Sequence, residues 1–309
     1  MLREKIIIGE HSAYPLNGLL TLPEKLSTPV PAVVFVHGSG ASNMDEKVGK
    51  LTPFKDLAEG LAQHGIASVR YDKRSFVHGF KMLTDRRLEV TVKTETIDDA
   101  ILAAALLRKD PRIDPQRIFI IGHSMGGMLA PRIDAEGGNF SGLIIMAGSP
   151  RKLEDIILDQ NEAMLKSTKG FVHWIVTKQV AKISKLFDGL YQLSDEEARK
   201  KKVGGGTTLY YFKEMGQHPA SDYLLKLEKP VLILQGEEDF QATAQKDFAA
   251  YKQLLSGQNN VTFRLYPALN HAFVPSIYGN IMKAKQEYGI ARHIGEDVIA
   301  DIANWIHGV

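Results

Sequence analysis

A chain of 309 residues, 44% hydrophobic and 24% charged, holds material for one large α/β domain or two ordinary ones, a composition typical of globular proteins. Its formal net charge of +2 offers no electrostatic case for nucleic acid or an anionic membrane. Cysteine is absent, which excludes disulfides, a thiolate nucleophile and cysteine-ligated metal.

The N-terminal stretch MLREKIIIGE has only a three-residue apolar run, shorter than a secretory signal needs. No stretch approaches the about 18 apolar residues of a transmembrane helix. No membrane span is therefore expected, and the expected location is cytoplasmic.

In chain order, LNGLLTL reads as an extended strand, followed by a proline-rich turn and a buried strand over Ala32–Val36 that ends at His37-Gly38. PFKDLAEGLAQHG gives an amphipathic helix stopped at Gly65, then a second buried strand over Ala67–Tyr71. TIDDAILAAALLRKD places Ile97, Ile101, Ala104 and Leu107 at helical spacing, leading to a strand at Ile118–Ile121. Further strands are expected in SGLIIMAGS, PVLILQGEED and NNVTFRLYP, and VIADIANWIHGV closes the chain as a helix. Apolar runs alternating with helices imply a mostly parallel sheet covered on both faces.

That rhythm breaks once. Residues 149–226 read as helical without strands of their own, with a hinge or loop at Gly204–Thr208. The expectation is a helical lid inserted into a core formed by 1–148 and 227–309. Phe171, Trp174, Ile175, Val180, Ile183 and Phe187 are candidates for its inner face.

The chemistry concentrates in Gly122-His123-Ser124-Met125-Gly126, which follows a strand and opens a helix. Gly-x-Ser-x-Gly in that setting is a nucleophile elbow: the glycines permit a bend too tight for side chains, and the serine hydroxyl is lifted above the sheet edge. A serine needs a base to take its proton, and the base needs a carboxylate to orient it. His271 lies just after the last expected strand, and Asp239 at the end of the strand before it. Glu237 and Glu238 beside Asp239, and Asp155 after an earlier strand, are the alternative carboxylates.

An oxyanion hole requires two backbone N–H groups. The expected donors are Met125, after the nucleophile, and Ser39, in a loop whose Gly38 and Gly40 allow close approach. That loop fails as a dinucleotide site, because Asn43 stands where glycine is required. No histidine spacing suggests zinc, so neither metal nor cofactor is expected. Asp72, Lys73 and Arg74 are expected in an ion-paired network, with Asp45 and Glu46 as partners. His123 is expected to pack and hydrogen-bond.

With VHGSG, DE, RYDKR, GHSMGG and LQGEEDFQ in this order, the chain from about Gly18 to its end resembles the α/β-hydrolase superfamily. It is most similar to esterase-like members near the dienelactone-hydrolase-like and acyl-transferase/thioesterase-like branches. The order Ser124, Asp239, His271 is that of the superfamily's catalytic triad. The resemblance implies a cofactor-independent serine hydrolase acting on a small-molecule ester. A peptidase, amidase or thioesterase would use the same triad. An aminopeptidase would need lid carboxylates for the substrate ammonium, with Glu154, Asp155, Asp159 and Glu162 as candidates. A non-catalytic binding protein on this scaffold would be expected to lack a triad member. The oligomeric state is left open, a dimer included.

Overall fold

Short apolar runs flanked by turn residues become the strands of one twisted sheet. The computed structural model describes residues 1–26, 28–204 and 207–309. In chain order the first strands are β1 (Leu2–Ile8), β2 (Leu16–Leu22), β3 (Val30–Val36), β4 (Ala67–Tyr71), β5 (Ile113–His123) and β6 (Leu143–Met146). A small ribbon follows, β7 (Lys202–Gly204) with β8 (Thr207–Thr208), and then β9 (Val231–Gly236) and β10 (Val261–Tyr266). Eight of them form the sheet in the order β1-β2-β4-β3-β5-β6-β9-β10. The pairs β1–β2 and β2–β4 are antiparallel and all the others parallel. The opening apolar run, to which the sequence reading assigned no element, is thus the carboxyl end of an edge strand.

Successive residues of a strand face opposite sides of a sheet, and the two cores divide accordingly. The helices that follow are α1 (Pro53–Gln63), α2 (Arg74–Thr84), α3 (Asp98–Leu107) and α4 (Met125–Ile133). Val34, Val36, Ile118, Ile120, Ile145 and Ile233 lie on one side with α3 and α4. Val33, Phe35, Phe119, Ile121, Ile144 and Leu234 lie on the other, against α1 and the C-terminal helix Glu296–Gly308. Because both faces are covered, the central strands read as continuous apolar runs rather than as alternations. The α2 helix, which was not foreseen, follows β4 directly.

Between β6 and β9 the chain forms α5 (Leu153–Lys166), α6 (Gly170–Phe187), shorter helical segments, the β7–β8 ribbon and the helix Leu209–Gln217. The ribbon departs from the purely helical character expected of residues 149–226. Of the expected hinge at Gly204–Thr208, Gly205 and Gly206 lie outside the described residues. Among the described residues, no helix is long and apolar enough to cross a membrane.

Candidate active site

At the end of β5 the backbone turns through Ser124 with φ 53° and ψ −121° and enters α4 at once. Two glycines make the turn possible. A Cβ on Gly122 would meet Gly126 O at 2.3 Å, and one on Gly126 would meet Val36 O at 2.1 Å. The Ser124 N–H donates to Met146 O on the neighbouring strand at 2.8 Å, which fastens the strained residue to the sheet.

His271 follows β10 on a loop pinned by the fully buried Asn270. The Asn270 side chain accepts from Ala272 N at 3.0 Å and donates to Glu287 Oε1 at 2.9 Å. His271 Nδ1 donates to Asp239 Oδ2 at 2.7 Å. With the proton on Nδ1, Nε2 is left as the acceptor. Asp239 itself is saturated: Oδ1 accepts the N–H groups of Gln241 at 2.7 Å and Ala242 at 3.0 Å. Its Oδ2 also accepts Gln235 Nε2 at 3.0 Å. A carboxylate so encircled has one orientation. Of the alternatives, Glu237 and Glu238 border a separate surface depression, and Asp155 is exposed on α5.

Ser124 and His271 share the walls of a cavity of about 480 Å³ and of a smaller one beside it of about 220 Å³. No direct hydrogen bond joins the two side chains among the described residues; such contacts are often loose before substrate binds. Ser39 borders both cavities as well, and Met125 the larger. The Gly38 peptide is clamped on both sides, its N–H donating to Glu46 Oε1 at 2.7 Å and its oxygen accepting Lys73 Nζ at 2.8 Å. Neither the Ser39 nor the Met125 N–H is taken by another backbone or side-chain acceptor among the described residues. Two such donors beside the Ser124 hydroxyl are suited to receive a developing oxyanion.

The ion pairs around the site differ from those expected. Asp45 pairs with Arg70, while Arg74 pairs with the buried Asp99. Glu46 turns to His123, whose Nδ1 lies 2.9 Å from Glu46 Oε2. That approach is too oblique for an aligned hydrogen bond, so it acts as a buried ion pair. Burial alone would neutralise both groups, but each partner's charge prevails. His123 is held above the ordinary imidazole range and Glu46 below the ordinary carboxylate range. His123 Nε2 donates to the backbone oxygen of His271 at 2.8 Å. Glu46 therefore ties the loop of Gly38, the elbow and the loop of His271 together. Sequence spacing carried no signal for this link, although the expectation that His123 serves hydrogen bonding agrees with it.

From residues 149–226, Leu153, Ile156, Ile157, Tyr211 and Phe212 border the larger cavity. The residues expected to form the segment's inner face do not border it. Phe171, Trp174 and Ile175 are exposed on α6, Val180 is half-buried, and Ile183 and Phe187 pack into the core beneath. Helical periodicity shows that a face is apolar, not what it covers. Glu154 bonds to Tyr191, Asp159 pairs with Arg151 and Lys246, and Glu162 with Lys166. None of these carboxylates borders the cavity.

Residues 27–275 match the family described as serine aminopeptidase, S33. The chain is 33% identical over 291 residues to esterase EstD of Thermotoga maritima, an alignment covering 94% of this chain and 65% of that protein. The chain thus spans just under two thirds of this relative's length. Among solved structures, it superposes on Est1E from Butyrivibrio proteoclasticus with a TM-score of 0.56 at 14% identity, over 99% of both chains. It superposes on the acylaminoacyl peptidase of Pyrococcus horikoshii with a TM-score of 0.54 at 14% identity, over 99% of this chain and 41% of the other. At these identities the superpositions establish the fold alone. By the extent of its family match and by its sheet, the chain belongs to the serine aminopeptidase S33 family of the α/β-hydrolase superfamily.

Proposed function

We propose that this protein is a serine hydrolase that cleaves carboxylic esters through an acyl-enzyme. The observation that carries the reading is a saturated Asp239–His271 pair facing the same cavity as a serine on a strained elbow. Ser124 Oγ attacks the ester carbonyl while His271 Nε2 takes its proton, and Asp239 holds the imidazole and stabilises its charged form. The N–H groups of Ser39 and Met125 receive the oxyanion, each worth about 2.7–4 kcal/mol of barrier. His271 then protonates the departing alcohol, and in the second half deprotonates the water that releases the acid. The acyl chain occupies the larger, mainly apolar cavity and the alcohol the smaller one. Residues 149–226 act as the lid of a core built from 1–148 and 227–309, supported by the apolar wall that Leu153, Ile156 and Phe212 contribute.

The similarity to an esterase favours esters. So does the absence from the cavity wall of the lid carboxylates that an aminopeptidase would need for its substrate ammonium. A fluorophosphonate probe should label Ser124 in the folded protein. A panel of p-nitrophenyl esters and aminoacyl anilides should show turnover of short acyl esters, with kcat falling on the order of 10⁴-fold or more in Ser124→Ala. Anilide turnover with little esterase activity would reverse the ranking, and an unlabelled Ser124 would remove the enzyme reading.

A further inference from the structure

Among the described residues, the wall of the larger cavity contains one carboxylate, Glu95, among mainly apolar neighbours. It sits on a single wide helical turn, Lys93–Ile97, that leads into α3; such π-turns often displace a residue toward a functional site. The Glu95 side chain is only 9% exposed. Its Oε2 accepts the Tyr211 hydroxyl at 2.7 Å. Its Oε1 stands 3.6 Å from Lys73 Nζ, beyond hydrogen-bond reach, and accepts no hydrogen bond among the described residues. Lys73 directs its ammonium at Gly38 O instead. Ion-paired to Lys73 but accepting no hydrogen bond among the described residues, this oxygen keeps its acceptor capacity at the wall of a space shaped for a ligand.

We infer that Glu95 Oε1 receives a hydroxyl carried by the acyl chain of the substrate, so that the preferred esters are those of short hydroxy acids. The ammonium of Lys73 beside it leaves the pair without net charge, which suits a neutral donor rather than a substrate ammonium. The location implies a short chain. Lys73 bridges Glu95 to Gly38, where an added Cβ would lie 3.1 Å from Ser124 Cβ. Tyr211 OH lies 3.6 Å from the sulfur of Met125, the residue after the nucleophile. The polar spot is therefore close to the reacting carbonyl.

This inference rests on the ester-hydrolase reading, and its test separates the two. The kcat/KM for p-nitrophenyl 3-hydroxybutyrate, each enantiomer, is compared with that for p-nitrophenyl butyrate in the wild type and in Glu95→Gln. One enantiomer should exceed the unsubstituted ester about tenfold in the wild type, the yield of one hydrogen bond to a charged acceptor. Glu95→Gln should bring that ratio close to one, whatever the variant does to butyrate turnover itself. Calorimetric titration of Ser124→Ala with methyl 3-hydroxybutyrate and methyl butyrate reads the same preference without turnover or any change at Glu95. Turnover of butyrate with equal rates for the hydroxylated ester, or equal binding of the two methyl esters, would overturn the assignment and leave the hydrolase reading intact. A stronger preference for the 3-aminobutyrate ester would overturn it too, by showing that the wall carries net negative charge. If no ester is turned over, the hydrolase reading falls, and the titration still decides whether the hydroxyl is bound.

Discussion

At Ser124 a side chain with a Cβ sits in backbone territory that glycine occupies far more readily. Holding a residue there costs on the order of 1–3 kcal/mol. Replacing Ser124 by glycine should therefore give a protein about 1 kcal/mol more stable than Ser124→Ala, after the added chain entropy of glycine is subtracted. Urea unfolding midpoints of the two inactive variants check this. The same strain recurs around the site. Glu46, Ala147, Ala268 and Phe273 have positive φ and lie in loops at the carboxyl edge of the sheet, whereas Asn139 is at the opposite edge. His37, at the root of the Gly38 loop, behaves differently: burial lowers its pKa from 6.5 to about 4, and the neutral ring donates Nε2–H to Asn43 O at 3.0 Å. A depressed folded-state pKa contributes stability that is whole above pH 6.5 and is lost as pH falls through about 4. Acidification across that window should cost up to about 3 kcal/mol. His37→Gln should flatten the pH dependence of Tm there, and an unchanged slope would contradict this origin.

The β5–elbow–α4 unit was readable from a short stretch because its geometry is enforced by local sterics. Gly126 allows the first turn of α4 to rest against the end of β3, where any side chain would strike Val36 O. Gly126→Ala should lower stability by at least about 4 kcal/mol, the range of severe core disruptions, and abolish activity. Chemical denaturation checks the first effect, and a stable, active variant would mean that α4 can shift away from the sheet. The strand ends carrying Asp239 and His271 were legible for a related reason. Apolar runs identify parallel strands, and polar residues just beyond their carboxyl ends project into the one edge where loops gather. The α5 and α6 helices were legible as helices only. The exposed Phe171 and Trp174 and the cavity-lining Leu153 and Ile156 carry the same kind of periodic signal.

Across the whole molecule, the site is the meeting of three loops that share one carboxylate. Glu46 holds the Gly38 N–H and the His123 ring, and His123 holds the backbone of His271. Glu46→Gln removes the charge that raises the pKa of the buried His123 ring. It should lower kcat about ten- to hundredfold through misplacement of the oxyanion donors and the base. KM should change by less than about threefold, since the acyl cavity is built elsewhere. Steady-state kinetics measures the split, and an equal rise in KM would assign Glu46 to substrate binding instead. What the amino-acid sequence alone determined was what neighbours in the chain can enforce. The elbow, the buried strands, the chain order of serine, aspartate and histidine, and the exclusion of thiol chemistry all follow from local patterns. The partnership of Glu46 with His123, the burial of Lys73 beside Glu95 and the choice of which residues of 149–226 face the cavity were decided only in three dimensions. Attraction between buried charges depends on distance and desolvation, and neither quantity leaves a trace in the spacing of residues along the chain.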